Sequence, residues 1–113
     1  MKIYNKGDNI YVGALQCGGG LDAYLQIELS DIEVKSIQFI KLKAMNIGLS
    51  DAVSVDKIKE SVELALQSFF NKTGKIYYIK TVSYIPNDST HYHLHTRIVY
   101  QILNRIYTNS KFN

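Results

Sequence analysis

All three histidines of the chain lie in one five-residue window, His91-Tyr92-His93-Leu94-His95, and imidazole suits both metal binding and proton transfer near neutral pH. On a helix, which turns about 100° per residue, His91 and His95 share one side and His93 points away. One ion would therefore bind two of them at most, and no Glu or Cys lies nearby to complete a zinc site. We expect His91 and His95 to be partly buried at the start of a helix. There are two alternatives. The pair could serve a metal-dependent enzyme, or the histidines could contact a ligand or RNA.

The sequence lacks the motifs that mark common enzyme classes. It contains no Gly-Lys-Ser/Thr phosphate loop, no Gly-x-Ser-x-Gly nucleophile elbow and no His-Glu-x-x-His zinc motif. The Gly18-Gly19-Gly20 run could offer backbone N–H groups to a phosphate, but it leads into a predicted strand, which favours a hairpin turn. We therefore predict a protein without enzymatic activity, bound metal or cofactor.

Length and composition indicate one globular domain that spans residues 1–113. Apolar residues make up 46% of the chain and charged residues 20%, close to averages for folded proteins, and the net charge of +3 is modest. Cys17 is the only cysteine, so it cannot form an internal disulfide, and we expect it to be a small buried hydrophobic residue. Neither a signal peptide nor a run of roughly 20 apolar residues is present, so we expect a cytoplasmic protein without a membrane span.

Hydrophobic periodicity predicts three strands in the first half of the chain. Residues 9–16 are rich in β-forming side chains and end at the three glycines. Residues 23–29 alternate cleanly, with Ala23, Leu25, Ile27 and Leu29 on one face. Residues 37–45 carry apolar side chains interleaved with lysines and complete the set.

The second half predicts a helix, a strand and a final helix. Residues 53–70 have apolar side chains at helical spacing, with Ser54 as N-cap, and we expect this helix to stop near residues 71–74. Residues 76–85 are β-branched and aromatic, and residues 90–107 form the last helix, capped by Asp88 or Ser89.

The resulting order β-β-β-α-β-α predicts an α+β two-layer sandwich, with a four-stranded sheet and two helices on one face. The other face of the sheet would meet solvent or a partner, and its candidate residues are Tyr24, Gln26, Glu28, Lys41 and Lys43.

Several segments resemble domain IV of elongation factor G, the translocase of the ribosome. Residues 18–29 (GGGLDAYLQIEL) resemble its glycine-pair loop and following strand, and residues 55–66 (VDKIKESVELAL) look like its amphipathic helix. Residues 79–84 (IKTVSY) resemble the next strand, and residues 88–90 (DST) stand where the family has an Asp-Ser-Ser helix start. The resemblance covers about 90 residues in the same element order.

In that family the glycine-pair loop and the loop before the last helix form a tip that enters the decoding region of the ribosome. The resemblance thus implies a tip made of Gly19, Gly20 and Asp22 with Asn87, Asp88 and His91. This chain departs from the family because its second loop is shorter and its 113 residues hold no GTPase domain, so translocation itself is not implied.

These observations predict a non-catalytic module that contacts structured RNA or the ribosome through the two loops and nearby cations such as Lys75. An alternative is a small protein-interaction protein, such as a toxin-neutralising or regulatory partner, that binds through the exposed sheet face with its tyrosines. The candidate contact residues are Gly19, Gly20, Asp22, Lys80, Asn87, Asp88, His91, His93 and Arg97.

Overall fold

The secondary structure comprises five strands and two helices in the computed structural model, which describes residues 1–16, 22–42, 53–86 and 90–108. In chain order the elements are β1 Lys2–Gly7, β2 Ile10–Leu15, β3 Ala23–Ser30, β4 Gln38–Lys41, α1 Val55–Thr73, β5 Tyr78–Tyr84 and α2 His93–Tyr107. The protein is therefore α+β, as predicted. The described helices are too short or too polar to span a membrane.

The sheet has five strands in the order β1-β2-β3-β5-β4, so the prediction of four strands is wrong. The additional strand is β1, which pairs antiparallel with β2 at the edge of the sheet. Only Ile3 of β1 is buried, and such an edge strand carries little of the alternating apolar pattern that predicts strands. The sheet is mixed because β4 runs parallel to β5 while the other neighbours are antiparallel.

One face of the sheet packs against both helices. Paired residues of neighbouring strands share a face. The rows on this face include Asn5, Tyr11, Ile27, Val82 and Phe39, and Ile3, Gly13, Leu25 and Tyr84. Side chains of α1 and α2 join these sheet residues in one buried cluster: Ile58, Val62, Ala65, Phe69, Leu94, Ile98, Val99, Ile102 and Leu103. The sequence predicts inward stripes at Val55, Ile58, Val62, Ala65, Leu66 and Phe69 of α1 and at Leu94, Ile98, Val99, Ile102, Leu103 and Ile106 of α2. All of these residues except the exposed Val55 are buried or partly buried in this cluster.

Helix α1 begins and ends with local signals that the sequence carries. The Ser54 side chain accepts a hydrogen bond from the Lys57 N–H at 3.4 Å, which confirms the predicted N-cap. Gly74 adopts a left-handed conformation with φ 75°, and its N–H donates to the Phe70 carbonyl at 2.8 Å. The helix therefore ends at Thr73, within the segment 71–74 where the sequence predicts its end.

Helix α2 begins at His93, three residues later than predicted. Tyr92 occupies the N-cap position without a side-chain capping bond, and the predicted caps Asp88 and Ser89 lie outside the described residues. The Thr96 hydroxyl donates to the Ser61 carbonyl of α1 at 3.0 Å, which joins the two helices. The late start leaves His91 outside the helix.

Candidate functional site

One end of the sheet gathers part of the sequence-predicted site. Asp22 immediately precedes β3, and Tyr84 at the end of β5 pairs with Leu25, so Pro86 lies at this same end. The Val53 N–H donates to the Pro86 carbonyl at 3.0 Å, which brings the start of α1 there. His91 lies between Pro86 and the start of α2 in the chain. Asp22, His91 and the starts of both helices therefore lie at one end of the domain. Gly19, Gly20, Asn87 and Asp88 lie outside the described residues.

The two helix starts are tied to each other at this end. The Ser54 N–H donates to the Tyr92 hydroxyl oxygen at 2.9 Å. This bond holds the residue before α2 against the first turn of α1. It thereby fixes the position of the backbone that carries the flanking histidines.

The three histidines do not share one side of a helix. His91 and His93 are both exposed, and their ring centroids lie 6.0 Å apart. His95 is 0% exposed within the core, where its ring lies 5.8 Å from that of Tyr92. Burial of His95 is thus as predicted, whereas the prediction that His91 is partly buried is wrong because the helix starts after it. In the described ranges no cluster of three or more His, Cys, Asp or Glu could hold a metal ion.

The predicted cations are spread over the domain. Lys80 is an exposed residue within β5, and Arg97 is exposed in the second turn of α2. Lys75 follows the end of α1, where its ammonium lies over the Tyr77 ring, 5.5 Å from the centroid. Lys75 and Lys80 therefore lie away from the end of the sheet that holds Asp22 and His91, whereas Arg97 lies one helical turn beyond His93.

A second candidate surface is the sheet face opposite the helices. One row of paired residues crosses all five strands on this face: Tyr4, Val12, Gln26, Ser83 and Ile40. A neighbouring row contains Lys2, Ala14 and Tyr24. Within the described part of the chain, no helix or strand packs over these two rows, which we call the open face.

Two tyrosines and two lysines dominate the β1 side of the open face. The Lys2 ammonium lies over the Tyr4 ring, 5.7 Å from its centroid. The Lys6 ammonium donates to Gln26 Oε1 at 3.2 Å, across the intervening strand β2. Burial, together with the neighbouring Tyr4, raises the pKa of the Tyr24 hydroxyl. The aromatic rings and cations therefore lie within one small area.

The middle of the open face is polar, because Gln26 and Ser83 lie between Val12 and Ile40 in the row that crosses all five strands. Val12 is 0% exposed although its side chain points away from the helices, so neighbouring side chains on this face shield it from water. Ile40, on the edge strand β4, is 38% exposed. On the side away from Lys2, Glu28 accepts a hydrogen bond from the Thr81 hydroxyl at 3.3 Å. The face thus combines apolar side chains on β2 and β4 with a polar middle, and its aromatic rings and cations lie towards β1.

Tyr24, Gln26 and Glu28 lie on the side of the sheet away from the helices, as predicted. The prediction is wrong for Lys41, which pairs with Tyr84 in a row on the helix side, and Lys43 lies outside the described residues. Lys2, Tyr4 and Lys6 were not predicted for this face. These three residues belong to β1, which hydrophobic periodicity does not predict as a strand. Their spacing of two residues would place them on one face of a strand, and this was the available signal.

Comparison of the chain with protein-family models, with curated proteins and with solved structures gives no match.

Proposed function

We propose that the chain is a non-catalytic binding module that contacts RNA through its open face. The observation that carries the proposal is the grouping of Tyr4 and Tyr24 with the ammonium groups of Lys2 and Lys6. Proteins that bind single strands combine aromatic rings, on which bases stack, with cations that contact the phosphate backbone. The open face offers both kinds of group side by side.

The cations favour RNA over a protein partner at this position. Lysine is depleted from the centres of protein interfaces, because an ammonium loses hydration there and regains little. Phosphate contacts use the same ammonium groups favourably, since each contact releases a condensed counterion. The net charge of +3 is consistent with this electrostatic attraction.

The resemblance to domain IV of elongation factor G adds a second contact region to this proposal. By that likeness the end of the sheet that holds Asp22 and His91 would approach structured RNA. His93 is exposed beside His91 and supplies a further ring at this end.

RNA binding is tested by fluorescence anisotropy with labelled RNA from about 50 to 200 mM salt. We expect the affinity to fall as salt rises, because phosphate contacts dominate non-specific binding. A Lys59→Ala variant serves as control and should bind RNA like the unmodified protein, since Lys59 is an exposed residue of α1 in the helix layer, away from the open face. Absence of binding by the unmodified protein at the lowest salt would contradict the proposal.

The apolar residues of the open face favour a second candidate function, namely binding of a protein partner. Val12, Ala14 and Ile40 would lie beneath such a partner, and tyrosine contributes large contact area at small entropic cost. A single protein retained from nuclease-treated lysate, together with no RNA binding, would favour this candidate. Retention that disappears with nuclease would instead support RNA.

A further inference from the structure

We infer that the open face takes unpaired bases of single-stranded RNA, with Tyr4 and Tyr24 as two stacking sites and Lys2 as a cation that moves from the Tyr4 ring to a phosphate. This inference rests on the proposed function and specifies its ligand.

The two tyrosines are placed for separate bases. Tyr4 pairs with Val12 and Tyr24 pairs with Ala14, so the tyrosines lie on the two strands that flank β2. With neighbouring strands about 4.8 Å apart, their backbones lie roughly 10 Å apart across β2. Val12 and Ala14 lie between the two tyrosines on β2, and Val12 is 0% exposed because other side chains cover it. Two tyrosines on strands at this separation offer two stacking positions along one strand of nucleic acid.

Stacking on a sheet requires bases that are not paired. In an RNA duplex each base is covered on both sides by its neighbours, and proteins reach only the backbone and the shallow groove. A sheet surface that presents aromatic rings can bind bases only where they are splayed out, as in loops and single strands. The open face therefore selects single-stranded RNA over a continuous duplex.

The Lys2 ammonium competes with an RNA base for the position over the Tyr4 ring. In the free protein the Lys2 ammonium lies over the Tyr4 ring, where a base would stack. A base that stacks on Tyr4 must displace this ammonium, and the phosphate of the same nucleotide offers it a stronger anionic partner. Lys6, which donates to Gln26 in the free protein, lies along the same edge and can contact a second phosphate.

The inference is tested by measuring the affinity of a labelled RNA of about ten nucleotides, alone and annealed to its complement, at about 50 mM salt. Tyr4→Leu and Tyr24→Leu keep apolar cover over Val12 but remove the aromatic ring. We expect each to weaken single-strand binding by about 5- to 100-fold, the loss that corresponds to one stacked base. Tyr4→Phe should retain the affinity because it retains the ring.

The matched control is Tyr107→Leu, because Tyr107 is an exposed tyrosine at the end of α2, on the helix side of the sheet. Thermal unfolding of every variant separates loss of stacking from loss of fold. Equal binding by the unmodified protein and both leucine variants, or preference for the duplex, would overturn the inference while RNA binding itself stands. Failure of the unmodified protein to bind either RNA would overturn the proposed function as well.

Discussion

Gly13 of β2 lies directly beneath Ile98 of α2, so close that a Cβ atom at position 13 would overlap the Ile98 Cγ2 atom. Gly13 is on the helix-facing side of the sheet, in the row that contains Ile3 and Leu25. The helix therefore approaches the sheet at this point as closely as a backbone without a side chain permits. This contact sets the distance between the two layers.

We predict that Gly13→Ala destabilises the protein by about 1 to 3 kcal/mol, the usual cost of adding a methyl group to a well-packed core. The measurement is chemical denaturation monitored by circular dichroism. In an Ile98→Ala background the same substitution should cost much less, because the atom that it meets is gone. Additive effects in this double-mutant cycle would contradict the close contact.

A second glycine is required for a different reason. Gly74 has φ 75°, with no atom within 4 Å of a Cβ built there, so its conformation rather than crowding excludes other residues. We predict that Gly74→Ala costs about 1 kcal/mol, because an L-residue is strained in the left-handed region and the restricted unfolded chain offsets only part of that cost. Thermal unfolding measures the change, and Gly74→Asn, which tolerates this conformation, should cost less.

The sequence patterns were most informative where one face of an element is buried. The alternation of residues 23–29 predicts β3 because Ala23, Leu25 and Ile27 all enter the core. The stripe of α2 predicts its inward face for the same reason. Strand β1 escaped prediction because it lies at the sheet edge, where Ile3 alone is buried and backbone pairing with β2 supplies the remaining interactions.

The candidate site was harder to predict than the fold. The predicted position of the histidines depends on a helix that starts at residue 90, whereas α2 starts at His93 and leaves His91 outside it. Tyr4 and Tyr24 lie 20 residues apart in sequence, and only the order of strands brings them to one face. That order depends on long-range pairing, which local periodicity does not encode.

The raised pKa of the Tyr24 hydroxyl predicts loss of stability in alkaline solution. Burial, followed by the effect of Tyr4, makes the folded protein hold this proton more tightly than the unfolded chain, whose ordinary tyrosine pKa is 10.0. The contribution of Tyr24 is thus fully present below about pH 10 and is lost as the pH rises through the folded pKa. The same direction holds for Tyr77, whose pKa is raised mainly by burial.

The measurement is the free energy of unfolding from neutral pH to above pH 10, compared between the unmodified protein and Tyr24→Phe. The variant should lose less stability over the alkaline part of this range, because it cannot ionise at position 24. The difference between the two proteins at neutral pH serves as the control for the lost hydroxyl itself. Parallel pH profiles throughout would show that burial of Tyr24 does not affect its ionisation.

We predict that Lys2→Ala changes the affinity for single-stranded RNA by an amount that depends on the salt concentration. The change removes one phosphate contact, so the slope of log affinity against log salt should become shallower by about 0.7 for single-stranded RNA. It also uncovers the Tyr4 ring, which in the free protein lies beneath the ammonium, so a base no longer has to displace a cation. At low salt the lost phosphate contact dominates and the variant binds more weakly. At high salt that contact is screened, the uncovered ring dominates, and the variant equals or exceeds the unmodified protein. Anisotropy titrations over this range measure both curves, with Lys59→Ala as the matched lysine control, and a deficit by the same factor at every salt concentration would contradict a move of Lys2 from ring to phosphate.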